Sequence, residues 1–191
     1  MNTSGVINWL FCALLLAVGC LTGPFAKAQK YDLGVAAVYG DDIEQLGINT
    51  RFYLNSTNHR FCLGPEFSWF PTSSSTHNTE TIEKDLIEFN FNAHVNLKLV
   101  NKLMFYPLAG LNYSREKEAE FLSGVLEKQE TYHEFGANLG MGLHYNLTQH
   151  WLLYVEYDHL FSNLSQNTFT AGVLVGFGQF KKQTHHTPQH E

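Results

Sequence analysis

The chain is poor in cysteine, in basic residues and in long apolar runs, and each scarcity removes a class of protein. Its cysteines are Cys12, Cys20 and Cys62. The first two fall in an N-terminal apolar stretch, so Cys62 stands alone beyond it. There, neither an intramolecular disulfide nor a cysteine-based zinc site can form, and Cys62 reads as a small wall residue. Lysine and arginine number 12 against 18 acidic residues, for a formal charge of −6 and a pI near 5.9. That balance leaves no electrostatic footprint for a phosphate backbone, so no nucleic-acid partner is expected. With 5 prolines in 191 residues and a hydrophobic fraction of 44%, the composition fits neither a disordered nor a collagen-like chain. Past residue 30 no segment repeats every 3.6 residues, and no apolar run reaches the roughly 20 residues a membrane-spanning helix needs.

The N-terminus differs from the rest. Trp9 to Leu21 is almost wholly apolar, Gly23 and Pro24 interrupt it, and Ala26-Lys27-Ala28 offers a small-x-small cleavage site. Residues 1–28 therefore read as a signal peptide for export. Acylation of Cys20 after Ala17-Val18-Gly19 is the alternative. Loss of Lys27 with the leader takes the formal charge from −6 to −7. At the other end, residues 181–191 are polar, with His185, His186 and His190, and read as a disordered tail rather than a metal site. One barrel domain is expected over residues 29–180.

What is present from end to end is alternation with a period of two. In Ile87 to Leu99, the positions Ile87, Phe89, Phe91, Ala93, Val95, Leu97 and Leu99 alternate with Glu88, Asn90, Asn92, His94, Asn96 and Lys98. One side is apolar and the other polar. The same rule gives eight segments, near 31–40, 44–54, 59–70, 85–99, 102–113, 131–146, 151–160 and 167–180. An even number suits a closed up-and-down antiparallel barrel. The connections at 55–58, 100–101 and 147–150 are short, whereas 71–84 and 114–130 are long and polar. Transmembrane barrels carry short periplasmic turns and longer outer loops, which puts both termini in the periplasm. Segment 114–130, with Glu116, Glu118, Glu120, Glu127 and Glu130, is expected to be a solvated loop. Aromatic residues gather toward both strand ends: Tyr39, Trp69, Tyr113 and Tyr157 outside, Phe61, Phe105, Tyr145, Trp151 and Phe177 inside. Two interfacial girdles follow.

Near the C-terminus, Thr170-Ala171-Gly172-Val173-Leu174-Val175-Gly176-Phe177 looks like the polar-x-Gly-x-x-hydrophobic-x-aromatic signal of a last barrel strand, carried here by Thr170, Gly172, Val175 and Phe177. Together with the alternation, it makes the chain resemble the OmpA/OmpX-like small outer-membrane β-barrels, over its whole length after the leader. The resemblance implies an all-β, closed, eight-stranded transmembrane barrel in the bacterial outer membrane. It also implies lipid as surroundings, the barrel-assembly machinery as a partner during insertion, a monomer, and no cofactor.

The polar side collects Arg51, Arg60, Glu66, Glu88, His94, Lys98, Glu134, His144, Tyr154, Glu156 and Asp158. An eight-stranded barrel is just wide enough for side chains to fill, so these residues are expected to pair inside a packed polar lumen. A proton or ion path is the alternative. Tyr154 and Glu156 are expected to meet Arg51, Arg60 or Lys98, with Gly136, Gly140, Gly142, Gly172, Gly176 and Gly178 leaving room and Gly140 in particular making space for Glu156. His159-Leu160-Phe161-Ser162-Asn163 distantly resembles the His-x-Ser-Asn stretch of lipid A 3-O-deacylases. Its wider spacing puts His159 and Ser162 on opposite faces of an extended strand. A soluble lipocalin-type binding barrel is the further alternative. The reading as a whole is a non-catalytic integral barrel contributing to envelope integrity or surface contacts, with no metal site.

Overall fold

The computed structural model describes residues 30–56, 59–77 and 80–178. The leader at 1–28, the tail at 181–191, part of the turn at 55–58 and the last two residues of the segment 167–180 lie outside the described residues.

Alternation becomes strand wherever one face can be buried. The strands are β1 (Lys30–Gly40), β2 (Gln45–Asn55), β3 (Phe61–His77), β4 (Glu80–Val95), β5 (Leu97–Lys98), β6 (Leu103–Leu122), β7 (Val125–Asn146), β8 (Trp151–Phe161) and β9 (Gln166–Gly178). Wall neighbours pair antiparallel, β4 pairs with β6, and β1 meets β9 from Lys30↔Gly178 to Gly40↔Thr168. The sheet is therefore closed on itself as an eight-stranded barrel. The two-residue β5 carries the fourth wall strand on past Asn96, whose side chain turns to bond His59 O at 2.9 Å and Cys62 Sγ at 3.2 Å. Closure matters because backbone groups in hydrocarbon have no water to bond, and a ring of strands leaves no edge.

Large apolar side chains cover the outside. Leu46, Ile48, Phe67, Phe89, Leu111, Phe135, Leu139 and Val155 are all exposed. A lipocalin arrangement, with its apolar side turned inward, is the reverse of this. From Leu103 to Tyr113 on β6 the outward positions carry no charge. That is about 33 Å of chain, or about 25 Å of height at a tilt near 40°, the thickness of the apolar band of an outer-membrane barrel.

The segments 71–84 and 114–130 are not loops. Each continues its strands as a hairpin, pairing as far as His77↔Glu80 and Leu122↔Val125, and the two hairpins join through Glu80↔Leu122. A four-stranded sheet thus rises above the apolar band on one side of the barrel. The second hairpin closes on Ser123 and Gly124, both at positive φ (51° and 82°). Two such residues make the tight turn whose twist matches paired strands. The acidic composition hid this: Glu116, Glu118 and Glu120 share one face, where Lys84 lies 3.6 Å from Glu116 and 3.1 Å from Glu118.

Candidate functional site

The inner face of the wall is polar through its middle. β2 aims Asn49, Arg51 and Tyr53 inward, β3 aims Glu66 and Ser68, β4 aims Asn90, Asn92 and His94, and β8 aims Tyr154, Glu156 and Asp158. All are buried. They bond to one another across the bore as well as along the wall. Arg51 donates from Nη1 to Glu156 Oε2 at 3.0 Å and from Nη2 to Glu156 Oε1 at 2.9 Å. The same Nη2 lies 3.0 Å from Glu66 Oε2. Nε donates to Asn49 Oδ1 at 3.0 Å, and the guanidinium stands 4.2 Å from the centre of the Tyr154 ring.

The network continues on both sides of this centre. Tyr106 Oη donates to Glu156 Oε2 at 2.8 Å, and Tyr53 Oη donates to Glu66 Oε1. Asn138 Nδ2 donates to Asn92 Oδ1 at 2.8 Å, and Asn92 Nδ2 to Glu66 Oε1 at 2.6 Å. One connected path, Asn138–Asn92–Glu66–Arg51–Glu156–Tyr106, therefore touches β7, β4, β3, β2, β8 and β6. Buried carboxylates are costly unless paired, and a forked guanidinium between two of them is the geometry that repays the cost.

Apolar clusters flank the network along the bore. Val38, Ile43, Phe70 and Leu86 pack together beneath the mouth on the long-hairpin side, with Ile43 folded in from the turn between β1 and β2. Toward the other end, Ala36, Tyr53, Tyr154 and Leu174 form a second cluster with Leu152 against it. Beside that cluster the His94 ring sits 4.7 Å from Tyr53 and 5.6 Å from His144, and the His144 ring 4.1 Å from Tyr106. Glu88, higher in the bore, accepts from Gln166 Nε2.

Arg51, Glu66, Tyr154 and Glu156 thus come together, and Glu88, His94 and Asp158 are buried near them. Three residues expected in the same network lie elsewhere. Arg60 and Lys98 are exposed at the short-turn end of the barrel, because the ladder carries their part of the wall past the end of the bore. Glu134 lies toward the long-hairpin rim, where its Oε2 accepts from Asn163 Nδ2 at 3.0 Å. Gly140 faces Asp158 in register, and a Cβ there would overlap Asp158 Oδ1, so it makes room for Asp158 and not for Glu156. Sequence reasoning missed Asn49, Tyr53, Tyr106 and Asn138 as members of the network. The signal available was parity, since Asn49 and Tyr53 flank Arg51 at its own period of two.

The model of the family described as outer membrane protein beta-barrel domain matches residues 12–177 of the chain. The chain belongs to this family. No curated protein sequence matches it. Solved structures similar to this outer-membrane barrel include the attachment invasion locus protein Ail of Yersinia pestis, 14% identical with a TM-score of 0.55, covering 78% of this chain and 99% of that one. The N-terminal β-barrel domain of Pseudomonas aeruginosa OprF is 16% identical at a TM-score of 0.55, covering 78% and 98%. A major outer membrane protein of Thermus thermophilus is 10% identical at 0.62, covering 78% and 99%. At these identities the likeness is one of fold.

At the seam of this outer-membrane barrel, Phe177 stacks on Tyr31 at 5.3 Å, while Thr170 points inward, with Gly172 and Val175 between them on the closing strand. At the long-hairpin rim, Asp41 accepts from Asn167 N at 2.7 Å and Asn167 Nδ2 at 2.5 Å, clamping the β1–β2 turn to the start of β9. Those two bonds, side chain first, hold the Asp41 carboxyl below the usual carboxylate range. His159 Nδ1 lies 2.8 Å from Asn167 Oδ1, and its ring meets Phe161 at 4.4 Å. Ser162 Oγ accepts from Leu164 N at 3.1 Å. The two residues keep separate partners.

Proposed function

We propose that the chain is a monomeric, non-catalytic outer-membrane barrel, exported by its N-terminal leader and inserted by the barrel-assembly machinery, whose bore is closed to solutes. Its contribution is to envelope integrity and to contacts made by the sheet that stands above the membrane. The observation that carries the reading is Arg51 held between Glu66 and Glu156 in the middle of the bore, with an apolar cluster toward either end. A solute would have to break charge-assisted bonds between buried groups that the two clusters hold away from bulk solvent. The separate engagements of His159 and Ser162 support a non-catalytic role, since a serine nucleophile needs its base within hydrogen-bond reach. The long hairpins support an outward orientation of that sheet, with the short turns in the periplasm.

Planar-bilayer recordings of the purified protein test the closed bore. The expected record is a baseline without steady conductance. Stable porin-sized channels from a verified monomer contradict it.

A further inference from the structure

On β6 and β7 the lipid-facing side changes from apolar to basic within one residue pair. Tyr113 faces Phe89 on one side and Phe135 on the other, its ring 5.0 Å from that of Phe135. The next outward pair is Arg115 with His133, both exposed, and the one above is Lys117 with Thr131. Arg115 and His133 stand opposite each other, about 5 Å apart across the ladder, and Lys117 follows two residues along β6 on the same face, so the three basic side chains share one patch. Tyr113 Oη lies 2.7 Å from His133 Nδ1, which pins the imidazole to the aromatic tier and leaves Nε2 for a ligand.

These cations are unlike the others on the outer side. Among the described residues, Lys84 pairs with Glu116 and Glu118, and Lys128 with Glu130. Among the same residues, Arg115 and Lys117 have no acidic group within ion-pair distance, although Asp85 is in register with Lys117. An arginine without an acidic partner, directly above an aromatic girdle, sits at the depth of lipid headgroups.

We propose that Arg115, Lys117 and His133 form a seat for the phosphate of an anionic lipid in the outer leaflet. A guanidinium forks onto phosphate oxygens, the ammonium adds a point charge, and the imidazole supplies a directed contact. A lipid is the occupant, and not a soluble anion, because the seat is continuous with the apolar band of Phe89, Leu111 and Phe135. One molecule can lay its chains on that band and its phosphate on the seat. The proposal rests on the outward orientation of the long hairpins.

Native mass spectrometry of the full-length protein in detergent tests it, with diphosphoryl lipid A as probe and phosphatidylcholine as the zwitterionic control. Wild type should retain lipid A over phosphatidylcholine, and R115A and K117A should each weaken retention about fivefold. R115K should lose less than R115A, while K102A, at the opposite end of the barrel, should change nothing. Heat-modifiable migration confirms that each variant is folded. Equal retention by wild type and R115A/K117A overturns the seat, as does an equal loss in K102A. Displacement of lipid A by millimolar inorganic phosphate overturns the lipid as occupant. Protease cleavage at Ser123–Gly124 on intact cells reads the orientation separately, so an inverted barrel is distinguishable from an absent seat.

Discussion

Replacing Arg51 by methionine should be among the most damaging single changes in the barrel. The guanidinium makes a forked pair with Glu156 at 2.9 and 3.0 Å, an ion pair with Glu66 at 3.0 Å and a hydrogen bond to Asn49. It is also the buried cation of a bore that buries Glu66, Glu88, Glu156 and Asp158. Methionine fills much of the volume but leaves two carboxylates without their partner. Breaking a buried pair from one side costs about 3–5 kcal/mol, a large share of a typical domain stability of about 5–15 kcal/mol. Removing the two carboxylate partners together with Arg51 is different. In R51M/E66Q/E156Q neither partner is left as a stranded carboxylate, and the amides can still bond Tyr53, Asn92 and Tyr106, so most of the loss should be recovered. Urea unfolding in lipid vesicles, followed by tryptophan fluorescence, measures both. A loss below about 1 kcal/mol in R51M, or a triple variant as unstable as the single one, would refute the reasoning.

Three further outcomes follow from the same geometry. On the lipid face, L139R should destabilise the barrel by about 2–4 kcal/mol in the same unfolding assay, whereas no loss would mean that Leu139 does not face hydrocarbon. Inside, G140A should cost about 1–3 kcal/mol, because its Cβ overlaps Asp158 Oδ1 and comes within 2.5 Å of Tyr157 O; G140A/D158A should recover part of it, and an unchanged midpoint for G140A would contradict the contact. At the outer rim, the lowered Asp41 pKa means that its contribution is full above the ordinary carboxylate value near about 4 and is lost as pH falls through the lower folded value. Amide exchange at Asn167, normalised for the intrinsic rate, should therefore stay protected at about pH 5 and open only below about pH 4; opening at the higher pH would sink that assignment.

The wall was legible in the sequence because lipid enforces it. Phe89, Phe91, Ala93 and Val95 alternate with Glu88, Asn90, Asn92 and His94 because one side of the sheet meets hydrocarbon and the other a polar bore. The ends of the strands were less legible. Above the band both faces meet water, so Thr72 to Thr76 and Glu116 to Glu120 lose the apolar alternation while the backbone pairing goes on, and a polar stretch reads as a loop. The interior was legible by sign but not by partner. Parity puts Arg51, Glu66 and Glu156 inside, yet which acid meets which base depends on the stagger of strands far apart in sequence. Arg60 and Lys98 have inward parity as well, but the stagger leaves them beyond the end of the bore. Phe70 and Ile43 ran against the rule that apolar means outward, since an outer mouth can be stoppered by apolar side chains once the backbone is satisfied.

The most direct test of the closed bore is the Arg51–Glu156 contact itself, observed in a bilayer. Solid-state NMR on protein labelled with nitrogen-15 in arginine and carbon-13 in glutamate, reconstituted in lipid, reads the dipolar coupling between Arg51 Nη and Glu156 Cδ. With N···O distances of 2.9 and 3.0 Å, a strong coupling is expected, and its loss in E156Q, which removes the labelled carboxyl, assigns it to this pair. A wild-type barrel, folded and inserted, in which that coupling is absent would contradict the closed bore.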